Sequence, residues 1–279
     1  MSSTIRPQPL QWCTPTAQLL PISSHTLLTS FHPSSSFSQT HLFSSQTLKL
    51  HSKISTKFRS MASKKDPFKF QDEDFASSDD LQFEAPLKVV EYPDPRLRAK
   101  NKKINKFDDN LKKLVAEMFD VMYRTDGIGL SAPQVGVNVQ LMVFNPVGER
   151  GEGEEIVLIN PRVTKYSQKL TLFNEGCLSF PGLFGVVKRP ESVKIDAKNL
   201  SGSRFSVTLS GLPARVFQHE FDHLEGTLFF EKMTEEVLDT IREGLQALEV
   251  KYEKSTGLPS PEKIEIRQRT KAGVGFGKN

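Results

Sequence analysis

Hydrophobic positions change their period along this chain, and the changes mark its elements. Leu111, Leu114, Val115, Met118, Phe119 and Met122 recur at the three-and-four spacing of one helix face, behind Asp108 or Asp109 as N-cap. This helix should close near Asp126-Gly127, where glycine leaves the right-handed region most easily. Short apolar or alternating runs follow at 139–144, 156–159, 170–173, 186–188, 193–197 and 205–209. Gly151-Glu-Gly153, Pro190 and Ser201-Gly202 punctuate them. They predict an antiparallel meander or two small sheets, and residues 87–92 suggest a further short strand before the Pro93-Asp-Pro95 turn. A second helix opens at Leu212-Pro213 and stops at Gly226. A third starts at Thr234, with Glu235 and Glu236 at its positive end and Val237, Leu238, Ile241, Leu245 and Leu248 on its apolar face. The class is α+β.

The ends of the chain differ from its middle. Residues 1–65 hold 15 Ser, 8 Thr and seven basic residues but no Asp or Glu. That is the composition of an organelle transit peptide, too polar to order itself, and its Ser/Thr richness favours a plastid over a mitochondrion. The whole chain is formally +4, but beyond residue 65 stand 30 basic and 33 acidic residues, so the mature body is mildly acidic and gives no ground for DNA binding. Residues 66–85 read as a flexible charged lead-in, 86–252 as the folded domain, and 253–279 as a mobile basic tail. From Lys251 onward there are seven basic against three acidic residues, which suits contact with a phosphate backbone. No run of eighteen uncharged apolar residues suggests a membrane span, and two cysteines exclude a disulfide scaffold. Nothing in the sequence sets an oligomeric state.

Removing the presequence leaves few reactive side chains: His219, His223 and Cys177 are the only imidazoles and thiol of the mature body. His219-Glu220-Phe-Asp-His223 places two imidazoles one turn apart on one helix face, near enough to share one ion, with Glu220 beside them as a proton carrier. A third ligand is required. Glu235 or Glu236 downstream would make a zincin-like peptidase; Cys177 upstream is the better candidate, since a thiolate with two imidazoles suits Fe(II), Zn(II) or Ni(II). Gly127-Ile-Gly129-Leu-Ser-Ala132 formally matches a dinucleotide fingerprint, but a helix precedes it and Pro133 follows. Paired glycines there suit instead close approach by an extended ligand, and Gln134 offers an amide to a developing oxyanion.

Three boxes in this order, Gly127-Ile-Gly-Leu-Ser-Ala-Pro-Gln134, Glu175-Gly-Cys-Leu-Ser179 and His219-Glu-Phe-Asp-His-Leu-Glu-Gly226, together with Tyr92-Pro-Asp-Pro-Arg-Leu-Arg98, resemble the peptide deformylases, notably the plant organellar type. The resemblance covers roughly 87–252. It implies small antiparallel sheets packed around a central metal-binding helix, and removal of the N-formyl group from the initiator methionine of nascent chains in the chloroplast stroma, with the mitochondrion as a second address. Cys177, His219 and His223 would bind one divalent ion, ferrous iron with zinc as alternative. Glu220 would act as base and then acid, and Gln134 and the backbone N–H of Leu178 would steady the oxyanion. Gly127, Ile128 and Gly129 would meet the peptide, and Ile128, Leu212 and Val216 would form the methionine slot. Ser131 departs from the alanine of many bacterial members, and Phe180-Pro-Gly182 suggests a longer loop after the cysteine. Glu175 is expected to be held by Arg189, and Asp222 to accept a hydrogen bond rather than touch the ion. The competing readings are a zincin-type metallopeptidase and a non-catalytic binding protein.

Overall fold

The computed structural model describes residues 75–265. Helix α1 (Asp109–Arg124) starts where the Asp108 side chain accepts hydrogen bonds from the N–H groups of Asn110 and Leu111, both at 3.1 Å. The apolar stripe read from the sequence is its buried face. Strands β1 (Gly129–Ser131), β2 (Leu141–Phe144), β3 (Ile156–Tyr166), β6 (Ser192–Lys198) and β7 (Arg204–Ser210) form an antiparallel sheet in the order β1-β2-β3-β6-β7. Strands β4 (Leu170–Gly176) and β5 (Phe184–Pro190) make a separate antiparallel pair. Gly211, at φ 60°, turns the chain from β7 directly into α2 (Gly211–Leu224). Helix α3 (Glu235–Thr256) closes on Gly257 at φ 71°.

Alternation along β6 explains how the large sheet is covered. Val193, Ile195 and Ala197 point inward while Lys194 faces solvent. The inward row joins Met142, Leu158 and Leu209 against Ala214, Val216 and Phe217 of α2. Helix α1 packs against the other end of the sheet through Leu114 and Met118, in a cluster with Leu130, Leu141 and Val143. A third cluster ties α3 to the loop after β4. Phe180 of that loop is fully buried, stacked on Tyr92 at 5.1 Å between ring centroids and 5.0 Å from Phe229.

Three expectations about the chain's edges need correction. Residues 87–92 form no strand, because their hydrogen bonds go to two different loops: Val90 N–H donates to the Gln134 carbonyl at 2.7 Å and Tyr92 N–H to that of Ser179 at 2.9 Å. The charged lead-in is docked from Phe75 onward. Ala76 and Leu81 enter the α1 cluster, Ala76 N–H donates to the Lys103 carbonyl at 2.8 Å, and Asp80 pairs with Lys102 at 2.9 Å. Nor does the domain stop at 252. After α3 the chain doubles back: Ile264 packs on the third cluster, its N–H donating to Glu249 at 2.8 Å, and Glu262 pairs with Arg98 at 2.7 Å. A few apolar residues and satisfied backbone groups suffice to dock such polar segments. The presequence, the lead-in up to residue 74 and the tail from 266 lie outside the described residues.

Truncating Phe180 to Ala removes the ring joining the cysteine loop to α3. A loss of about 3–5 kcal/mol is expected, read as a lowered urea midpoint at unchanged slope.

Candidate active site

Helix α2 brings His219 and His223 together, ring centroids 5.3 Å apart, and buries both. The loop that follows β4 is closed by the Phe180 N–H donating to the Cys177 carbonyl at 2.9 Å, and it carries half-buried Cys177 to the same point. Its Sγ lies 3.2 Å from His223 Nε2, and one ligand atom from each of Cys177, His219 and His223 lies within 4.8 Å of the others. A tetrahedral ion with one sulfur and two nitrogen ligands needs separations on the order of 3.5 Å, so this donor set fits a divalent transition metal. Among the described residues it is Cys177, not Glu235 or Glu236, that completes the group with the two histidines.

What holds these side chains is the fully buried carboxylate of Glu175. Its Oε2 stands 3.0 Å from His219 Nδ1, which leaves Nε2 to face the site. Arg189 donates to it through Nε at 2.7 Å and Nη2 at 3.0 Å, and Arg215 adds Nη1 at 3.0 Å. Burial opposes its charge, but the hydrogen bond from His219 and the Arg189 guanidinium outweigh that and hold its carboxyl well below the usual range. Arg189 also donates from Nη1 to Asp222 Oδ2 at 2.6 Å, so Asp222 is turned away from the imidazoles. The expected Glu175–Arg189 pairing is present. Sequence reasoning missed Arg215 and the Glu175–His219 contact. The available signal was an arginine four residues before His219, in the first turns of an otherwise buried helix.

Electrostatics and orphaned atoms point to the same spot. Glu220 Oε2 and His223 Nδ1 are buried with no protein partner. Burial pushes the Glu220 carboxyl up to about 7, against the opposing pull of His219, so it can exchange a proton near neutrality. Burial keeps His223 well below its ordinary value, with His219 adding to the effect; a neutral imidazole is the ligating form. The Gln134 side chain is oriented by Ser131, whose N–H and hydroxyl donate to Oε1 at 2.9 and 2.8 Å. Its NH₂ group is thereby turned to Cys177 Sγ at 3.4 Å and Ser179 Oγ at 3.3 Å. The Ser131 hydroxyl, unremarkable in the sequence, is part of this orientation.

Gly127, Ile128, Gly129, Cys177, Leu178, His219 and Glu220 line one cavity of ≈ 250 Å³. Leu212 and Val216 do not. Leu212 packs half-buried in the second core cluster, and Val216 is buried behind Gly129, because α2 turns that face to the sheet. The apolar wall comes from Ile128, Leu178, Leu183 and Phe184 instead.

Residues 86–238 match the family model for polypeptide deformylase. The chain belongs to this family. It is 70% identical over 208 residues to peptide deformylase 1B, chloroplastic/mitochondrial, of Arabidopsis thaliana, covering 75% of this chain and 76% of that one. It is 69% identical over 211 residues to the chloroplastic 1B protein of Solanum lycopersicum, 76% of each chain being covered. A crystal structure of the Arabidopsis thaliana 1B enzyme with an inhibitor superposes at TM-score 0.62 and 70% identity, over 64% of this chain and 98% of that one. The deformylase of Thermotoga maritima gives 0.51 at 38% identity, over 54% and 99%. This deformylase is therefore a metal-dependent hydrolase of formylated N-termini on an α+β fold of small antiparallel sheets, and the zincin-peptidase and binding-protein readings are not favoured. Its relatives' names and its acid-free first 65 residues agree on a chloroplast address. No described helix is long and apolar enough to cross a membrane.

Two substitutions probe this geometry. Glu175→Gln keeps the shape of the carboxylate but removes its charge. Zinc affinity, measured by chelator competition, should fall roughly 10–100-fold, and unchanged affinity would contradict the orienting role. Gly129→Ala would place a Cβ 2.7 Å from Glu220 Oε1 and 2.6 Å from Val216 Cγ1. Displacing Glu220 should lower kcat/KM on the order of 100-fold, with an unaltered circular dichroism spectrum.

Proposed function

We propose that the deformylase removes the formyl group from the initiator methionine of nascent chains encoded in the organelle, with Cys177, His219 and His223 as its metal ligands. The observation that carries this is the convergence of those three ligand atoms within 4.8 Å beside a buried, unpartnered oxygen of Glu220. A divalent ion held by Cys177, His219 and His223 would supply Lewis acidity, bringing the ionisation of water toward neutral pH. Glu220, poised near 7, takes the proton from the attacking water and returns it to the departing amine nitrogen. The Gln134 amide and the Leu178 N–H donate to the oxygen of the formyl carbonyl as charge develops on it.

Strand β1 is the outer strand of its sheet, and Gly129 at its start lines the cavity. A formylated peptide adds there as one more strand, Gly127, Ile128 and Gly129 offering backbone and small surface. The methionine side chain then rests on Ile128, Leu178 and Phe184. Ferrous iron is the native ion in this reading and zinc the alternative, both suited to one thiolate and two imidazoles. The first 65 residues are removed on import. Residues 266–279, with four basic residues and no acidic one, serve approach to ribosomal RNA.

Protein purified without oxygen should release formate from formyl-Met-Ala and leave unformylated casein uncut. Glu220→Gln should lower kcat by about 10²–10⁴ while retaining bound metal by elemental analysis, and Cys177→Ala should lose the metal itself. Casein cleavage, or metal retained by Cys177→Ala, would refute the assignment.

A further inference from the structure

The solvent face of the large sheet carries charges in an order that opposes its own stability. Cross-strand register sets Lys165 opposite Lys194, and Lys198 opposite Arg204. Like charges directly opposite each other on neighbouring strands are destabilising. The one acid of this face, Asp196, lies between the two pairs and is already engaged by Arg162 at 3.3 Å and by the Ser206 hydroxyl. Lys165, Lys194 and Arg204 are exposed and make no ion pair among the described residues, while Lys198 lies over the Phe107 ring at 5.2 Å. Five cations against one acid thus concentrate on one face of a body whose overall charge beyond residue 65 is negative.

We infer that this face of β3, β6 and β7 is a docking surface for the phosphate backbone of RNA. Lys165 with Lys194 and Lys198 with Arg204 form two cationic pairs at either end of this face, flanking the Asp196–Ser206 position. Ser206 and Thr208 fill the positions between them with hydroxyls rather than apolar side chains. A membrane-binding surface would need an apolar row to enter the bilayer, and these strands turn theirs inward against α2. Base edges are not addressed by such a surface, so binding is insensitive to sequence and sensitive to salt. None of these cations lines the cavity, so bound RNA leaves it open. The deformylase reading supplies only the reason why RNA would be near; the charge geometry stands without it.

The test titrates the full chain against a fluorescent 20-nucleotide unstructured RNA at several salt concentrations. Lys194→Glu/Arg204→Glu converts both like-charge pairs into opposite-charge pairs. It should lose at least tenfold in RNA affinity, with a salt slope smaller by about two, a Tm that holds or rises, and unaltered formate release from formyl-Met-Ala. Lys112→Glu/Lys113→Glu, the same charge change on α1, should stay within twofold of wild type. Lys194→Gln/Arg204→Gln should lose affinity by an intermediate factor, and this reading holds even if the reversed variant proves unstable. RNA binding unchanged in both sheet variants, equal loss in the α1 variant, or binding to phosphatidylglycerol vesicles without binding to RNA would overturn the inference. Absence of formate release with the RNA effects intact would instead count against the proposed function.

Discussion

Glu175 must sit where no water reaches, because the carboxylate has to touch His219 on α2 from the end of β4, and both elements are closed over by side chains. A bare charge there would be prohibitive. Two guanidiniums, from β5 and from the start of α2, and an imidazole share its oxygens, so that a strand pair and a helix are fastened through a single anion. Its neighbours along both elements are tied to the same joint. Cys177 is two residues along the same strand end, His223 one turn along the same helix, and Asp222 is drawn off by the outer nitrogen of the same arginine. Such an arrangement adds little net stability compared with apolar packing. Its value lies in fixing one relative position of loop and helix.

Apolar packing then removes the remaining freedom. The site stands where three core clusters approach one another: Leu130 and Leu178 from the α1 side, Val216 from the sheet side, and Phe180 from the α3 side. Glu220 is left among them with one unpaired oxygen, and burial is the largest influence bringing its proton affinity into the working range. The same enclosure that perturbs the carboxylate also gives the cavity its apolar wall.

Much of this was legible in the order of residues, for identifiable reasons. A histidine pair four apart on a helix is a local relation, and the 3.6 period that places Leu114 and Met118 also places His219 and His223. The Glu175–Arg189 pairing was readable as two opposite charges flanking the cysteine loop. Arg215 was not, because its partners come from strands forty residues away and helical period alone does not say which neighbour a buried charge meets. Leu212 and Val216 show the converse. Periodicity marked them as buried but could not say whether that face of α2 met substrate or sheet. The docked segments beside the domain escaped notice because they are held by backbone hydrogen bonds and one or two apolar contacts each, such as Ile264, and composition does not register those.

An unfilled margin on a β-sheet ordinarily invites any passing extended segment, and proteins usually blunt it. Here β1 is left as an edge, yet it is only three residues long and all three are buried. A long strand from the interior of a folded or half-folded protein cannot lie along so short and recessed a ledge without colliding with its surroundings; a free chain end can. If the peptide adds to β1 as proposed, the brevity of that strand would itself favour chain ends over internal segments.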